Sequence, residues 1–145
     1  MSSLERAIAI AAEAHMGQTD KGGSPYILHP LRVMMTARQD GGDDAAIVAV
    51  LHDVIEDCPD WPAERLASEG SSPEIMAALD CLTRRQSEDY MEFVARCSQN
   101  PIARIVKLAD LKDNMDLDRL QSPTPKDLER LERYKQAAAC LAIPE

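Results

Sequence analysis

The chain is poor in aromatic side chains: one Trp, three Tyr and one Phe in 145 residues. Its core must therefore come from Ala, Leu, Ile, Val and Met. Runs of β-branched residues are short, which favours helices over a sheet. Basic charge is scarce as well. Lys and Arg number 16 against 25 Asp and Glu, a net charge of −9, whereas a nucleic-acid binder carries a basic patch. Nucleic acid is set aside as a partner. No apolar run is long enough to span a bilayer, so no membrane partner is expected. The amphipathic start MSSLERAIAIAAEAH, with an acid in its first turn, reads as a helix and not as a signal peptide. The cysteines Cys58, Cys81, Cys97 and Cys140 form no C-x-x-C pair. Scattered thiols of this kind suit a reducing compartment, here the cytoplasm. The expectation is one all-α domain over residues 1–145, large enough to bury a core without staples.

Periodicity and breakers divide the chain. Leu4, Ala7, Ile8, Ala11 and Ala12 recur at helical spacing, with Gly17 placed to stop that helix. The stretch GQTDKGGSPY is a loop by composition. A second helix starts near His29, where Pro30 is tolerated in the first turn. Gly41 and Gly42 break it, and Asp43 or Asp44 can cap the next helix, AAIVAVLHDVIEDC, which Cys58-Pro59-Asp60 ends. Shorter helices follow over 61–69, 73–83 (capped by Ser72, with Pro73 at its first position) and 88–98. Pro101 opens a largely buried helix reaching Leu120. Ser122 to Pro125 is a hinge-like break, and the last helix runs from about Lys126 to Leu141. No internal repeat appears.

One segment conflicts with its own setting. Inside that third, apolar helix lie His52, Asp53, Glu56 and Asp57, four ionisable groups in six positions. Burying an unpaired charge costs several kcal/mol or more, and a bound cation would compensate them. On a helix, Asp53 and Asp57 are one turn apart, as are His52 and Glu56. An imidazole nitrogen and a short carboxylate from neighbouring residues can then reach one metal. Further ligands are available in His29 (YILHP) and Asp110 (KLADLKDN). Two histidines and two aspartates without a cysteine suit an open, six-coordinate site for Mn²⁺, Fe²⁺ or Mg²⁺ better than a closed zinc site. The competing reading of Asp110 is a salt bridge to Arg104 or Lys107.

Glu56 and Asp57 lie one turn past the ligands, at the helix end where the dipole disfavours acids. A carboxylate there can take a proton from water or hand one to a leaving group; the alternative is a solvated helix end. Lys21 is the candidate phosphate contact from the loop. Asn114 shares the face of Asp110. Arg130 and Tyr134, one turn apart on the last helix, could clamp a distal phosphate, since charge-assisted bonds are the strong ones; a plain surface face is the rival.

AHMGQ…K…PYILHP, LHDVIED and VKLADLKDN together resemble the HD-domain metal-dependent phosphohydrolases, and within them the hydrolase domain of RelA/SpoT-type enzymes and the small alarmone hydrolases. The resemblance covers most of the chain. It implies a helical bundle of about eight helices around a metal site, with one Mn²⁺ held by His29, His52, Asp53 and Asp110. Glu56 and Asp57 would serve the attacking water. The reaction implied is removal of the 3′-pyrophosphate from guanosine tetra- or pentaphosphate. Lys21, Asn114, Arg130 and Tyr134 fall where that family contacts its nucleotide, the expected small-molecule partner. No synthetase domain follows, so degradation alone is expected.

One position departs from the pattern. The usual loop reads H-x-G-Q-x-R-K-x-G, and the arginine position is Asp20 here. A carboxylate cannot stack on a purine as a guanidinium does, although it can accept hydrogen bonds from an amino group. An adenosine analogue such as ppApp is therefore a rival substrate. Two other readings stand beside the alarmone hydrolase: a nucleotide phosphomonoesterase of the wider HD group, and a non-enzymatic nucleotide-binding module stabilised by its metal.

Overall fold

The computed structural model describes residues 3–116 and 122–142, and among these it is all-α. The helices are α1 (Leu4–Ala14), α2 (Leu28–Leu51), α3 (Val54–Asp57), α4 (Ala63–Ser68), α5 (Pro73–Leu82), α6 (Tyr90–Cys97), α7 (Pro101–Asn114) and α8 (Pro125–Ala142). The eighth of these matches the expected Lys126–Leu141 within a residue. The extension of α7 towards Leu120 falls on residues 117–121, outside the described ones.

Caps fix most of the starts. Ser72 accepts a hydrogen bond from the Ile75 amide at 3.2 Å, with Pro73 at the first helical position. Such a cap stabilises a helix by roughly 1 kcal/mol. Asn100 accepts from both Ile102 and Ala103 ahead of α7. Asp89 and Glu92 form a reciprocal capping box at α6, which satisfies two orphan amides at once. Trp61, expected at the start of a helix, is instead a buried residue just ahead of α4.

The break expected at Gly41 and Gly42 is present: Gly42 has non-helical angles (φ 71°, ψ −159°), so α2 consists of two helical stretches joined at a kink there. Gly41 suits a close approach of α7: a Cβ there would lie 2.6 Å from the Ala45 Cβ and 3.1 Å from the Ile105 Cδ1. A second expectation, which bears on the site, needs correction. The helix expected to run unbroken through the His-Asp pair ends at Leu51, and α3 restarts at Val54. His52 and Asp53 occupy the turn between them. Both the His52 amide and its ring Nδ1 converge on the Ala49 carbonyl. A carbonyl engaged three residues on is unavailable to the usual partner four residues on, so the turn tightens.

The second half of α2 is buried on all sides, from Ala45 to Leu51. As a whole, α2 packs against α1, α5 and α7. Ile10, Leu66, Leu79, Val94, Leu111 and Leu141 close the same core from the other helices. Aliphatic interdigitation carries most of the packing here: Phe93 and Trp61 are the large aromatic rings buried in the core among the described residues, with Tyr90 and Tyr134 packed against it. Among the described residues, no helix is long and apolar enough to cross a membrane.

Candidate functional site

Three elements bring four polar side chains together inside this apolar frame. His29 comes from the first turn of α2, His52 and Asp53 from the turn after it, and Asp110 from the middle of α7. His29, His52 and Asp110 are buried, and Asp53 nearly so. His29 Nε2 lies 2.9 Å from Asp110 Oδ1 and 3.7 Å from Asp53 Oδ2. His52 Nε2 lies 3.1 Å from Asp53 Oδ2 and 3.3 Å from Asp110 Oδ1. One donor atom from each of His29, His52 and Asp53 falls within 4.8 Å of the others, a group able to hold a metal ion.

The tautomers sharpen that statement. His52 donates its Nδ1–H to the Ala49 carbonyl, and His29 donates its Nδ1–H to Asp113 Oδ2 across 2.6 Å. Both Nε2 lone pairs are thereby turned towards the two carboxylate oxygens, which have lone pairs of their own. Lone pairs facing lone pairs repel unless a cation or protons stand among them. The spacing suits a metal: adjacent donors bound at about 2.1 Å and at right angles lie about 3 Å apart. A divalent cation fits these residues.

The electrostatics agree with a site waiting for positive charge. Burial works against a charged His52, yet the carboxylates of Asp53 and Asp110 outweigh it and hold its pKa well above the usual histidine value. His29 shifts the same way, burial being opposed by hydrogen bonds to Asp110 and Asp113. Burial raises Asp53, but the His52 charge beside it wins and brings it down to about 2. Asp110 is held well below the carboxylate range, with burial overcome chiefly by Lys107.

Lys107 supplies one of the two salt bridges considered for Asp110. Its buried ammonium donates to Asp110 Oδ2 at 2.8 Å and sits 5.1 Å from the centre of the Phe93 ring. Asp110 divides its oxygens: Oδ2 takes the lysine, while Oδ1 faces the imidazoles. Asn114 also donates to Oδ1, at 3.2 Å.

A surrounding layer escaped the sequence pattern. Asp113, which grips His29, is itself held by Arg32 through bonds of 2.7 and 3.1 Å. Tyr26 donates its hydroxyl to Asp53 Oδ2 at 2.6 Å, and its ring stands 5.0 Å from His15 and 5.7 Å from His29. Burial, then the Asp53 charge, raise the Tyr26 pKa, so the phenol stays a donor. Sequence offered two weak signals for these residues. Tyr26 lies in the PYILHP stretch, and Asp113 is one turn after Asp110.

Next to the cluster opens a cleft of about 300 Å³. His29, Tyr26 and Asn114 line it where it meets the buried donors. Lys21, Arg130 and Tyr134 line it too, so all four candidate substrate contacts border one space. Asp20 also borders it, its Oδ1 accepting the Ser24 amide at 3.0 Å. Glu56 and Asp57 do not line this cleft. Glu56 is exposed and accepts the Arg84 amide at 2.7 Å. Asp57 borders a separate hollow with Gln18, Cys58 and Trp61; burial and the charges of Asp53 and Glu56 raise its pKa.

A family described as the HD domain matches residues 7–137. The chain is 34% identical over 127 residues to a guanosine-3′,5′-bis(diphosphate) 3′-pyrophosphohydrolase of Vibrio cholerae, covering 79% of this chain and 18% of that protein. It is 34% identical over 122 residues to the bifunctional (p)ppGpp synthase/hydrolase SpoT of Escherichia coli, covering 77% of this chain and 17% of that protein. A Streptomyces coelicolor protein named GTP pyrophosphokinase is 30% identical over 153 residues, covering 99% of this chain and 17% of its own length. The chain therefore spans less than a fifth of each of these relatives.

Proposed function

The chain belongs to the HD-domain family, and from that premise we propose that it is a metal-dependent phosphohydrolase removing the 3′-pyrophosphate of (p)ppGpp-type alarmones. The observation that carries the reading is the set of four oxygen and nitrogen donors, 2.9–3.7 Å apart across the His–Asp pairs, one of which, His29, also borders the cleft lined by Lys21 and Arg130. The Vibrio and Escherichia relatives, whose names state this hydrolysis, support the substrate class.

His29, His52, Asp53 and Asp110 are proposed to hold one divalent ion, Mn²⁺ on this reading, with Fe²⁺ or Mg²⁺ as alternatives of similar coordination. A bound divalent ion lowers the pKa of water and neutralises charge developing on phosphorus. That is how an acidic protein can act on a polyanion.

The chain's own groups do the rest. Lys21 and Arg130 draw phosphate oxygens into the cleft, and Tyr134 and Asn114 orient the sugar end. A water oxygen forms a bond to phosphorus while the bond from the ribose 3′-oxygen to that phosphorus breaks, releasing pyrophosphate. Glu56 or Asp57, the carboxylates just past the His52-Asp53 turn, would take the water's proton, although neither lines the cleft in this structure. The raised pKa of Asp57 suits such an exchange better than an ordinary aspartate would. The departing 3′-oxygen takes a proton from solvent.

Asp20, at the cleft border, supports adenine nucleotides such as ppApp beside guanine ones, because its carboxylate accepts from an exocyclic amino group. Residues 1–145 act as one hydrolase domain, in the cytoplasm, where nucleotides are found and free thiols like these four stay reduced.

The test is a substrate panel. Manganese-loaded protein incubated with ppGpp and ppApp is expected to release pyrophosphate from at least one. Orthophosphate in its place would move the assignment to a phosphomonoesterase. No product from either would overturn the hydrolase and leave the metal-stabilised binding module.

A further inference from the structure

Lys107 carries a charge that the donor cluster does not need once a cation is bound. Its side chain is buried on α7, one turn before Asp110, and among the described residues Asp110 is its ion-pair partner, with Nζ 2.8 Å from Oδ2. The rings of Phe93 and Tyr90 on α6 flank the ammonium, their centres 5.1 and 5.8 Å from Nζ. Aromatic faces hold a cation without offering it a second carboxylate.

The charges around the cluster show why this is unusual. Asp113, the other acid against it, is already balanced by Arg32. A divalent ion among the donors would by itself cancel the charges of Asp53 and Asp110. Burying an ammonium is expensive, and a further positive charge beside a dication repels it. Neutralisation of Asp110 therefore does not explain the lysine in the loaded protein.

The division of labour on Asp110 does explain it. Oδ1 lies 2.9 Å from His29 Nε2, 3.3 Å from His52 Nε2 and 3.2 Å from the Asn114 amide nitrogen. Oδ2 is turned away to the ammonium. A carboxylate can grip a cation with one oxygen or with both, and the second mode fills an extra coordination position. For Asp110 to use both, Oδ2 would have to abandon a buried ammonium, and a stranded interior charge is strongly unfavourable. The ammonium cannot follow the oxygen towards the ion, because like charges repel.

We infer that Lys107 is a positioning residue that confines Asp110 to one-oxygen coordination and so keeps a position on the ion open for water or substrate. The inference rests on the reading of His29, His52, Asp53 and Asp110 as metal ligands, and not on which substrate is cleaved.

Lys107→Met keeps an unbranched chain between the two rings and removes the charge. Manganese titration by calorimetry and the water-proton relaxation of the loaded protein test the inference together. The variant should bind manganese about tenfold more tightly than the wild type, since the ion gains an oxygen and loses a nearby positive charge. Its relaxation enhancement should drop by about half or more: four ligands on a six-coordinate ion leave at most two waters, and one of these is displaced. A lysine with a purely structural role predicts weaker binding and an unchanged enhancement. Either of those results would overturn the inference.

A crystal structure of the manganese-loaded wild type needs no variant. Oδ1 alone is expected on the ion, with Oδ2 still on the Lys107 ammonium. Manganese held through both Asp110 oxygens would overturn this inference and leave the metal reading intact, whereas no manganese uptake at all would overturn the two together. If the metal binds as stated but no alarmone is cleaved, the hydrolase assignment fails and this inference stands.

Discussion

The Tyr26 hydroxyl meets Asp53 Oδ2 at 2.6 Å, the same oxygen that faces the Nε2 atoms of His29 and His52. One phenol therefore fixes which carboxylate oxygen is offered to a cation. Outer contacts of this kind are worth about 10–100-fold in metal affinity. Tyr26→Phe keeps the ring between His15 and His29 and removes only the donor. We expect manganese affinity, measured by competition with a chelating dye, to fall about tenfold with little change in the melting curve of the metal-free protein. Unaltered affinity would mean that packing alone orients Asp53.

Much of this architecture is written in local pattern. The cap at Ser72, the proline starts of α5 and α7, and the apolar faces of α1 and α7 all depend on residues within a turn of each other, so the sequence displays them. The His52-Asp53 turn does not. Its form depends on an imidazole capturing the Ala49 carbonyl, and nothing in the apolar spacing around it records that choice. The same limit hid Tyr26 and Asp113, whose partners are separated from them by 27 and 84 residues. Donor chemistry made His29, His52, Asp53 and Asp110 visible, because four such groups are costly in a core. A tyrosine or an aspartate in a loop or on a helix surface carries no such cost, and only the fold reveals its partner.

Glu56 offers a sharper test of chemistry than any ligand does. It is exposed, and among the described residues its hydrogen bond is with the Arg84 amide, which an amide oxygen can still accept. Glu56→Gln should leave metal content and melting temperature within error of the wild type. If the residue handles a proton, turnover should drop by roughly 10²-fold or more, the scale of a lost acid-base group. Unchanged turnover would assign Glu56 to holding the 83–89 loop and leave Asp57 as the only carboxylate candidate.

Removing the metal should be felt by the whole fold. Four ionisable groups converge in the interior from α2, the turn after it and α7, so a shared cation ties these elements together. At a free metal concentration about 100 times Kd, binding stabilises the native state by about 2.7 kcal/mol. For a domain of this length that corresponds to a melting shift of roughly 5–10 °C. Scanning calorimetry before and after EDTA, with metal loss verified by elemental analysis, measures it. Identical transitions would argue that the four side chains share no ion.

The loop that reaches Glu56 has its own acid sensitivity. Arg96 binds both carboxylate oxygens of Glu88 at 2.8 Å and the carbonyls of Asp80 and Thr83. It thereby staples the start of α6 to the end of α5. The Arg96 hydrogen bond, followed by the Arg85 amide, brings the Glu88 pKa from its ordinary 4.5 down to about 2. A carboxylate depressed in the folded state stabilises it fully above its unfolded value and loses that contribution as pH falls through the folded one. The window is thus from about pH 4.5 down to about pH 2. Urea denaturation across that range should find Glu88→Gln less stable than wild type at pH 6, with the two curves converging near pH 2. A constant difference over the whole range would show that shape and hydrogen bonding, not charge, hold the staple.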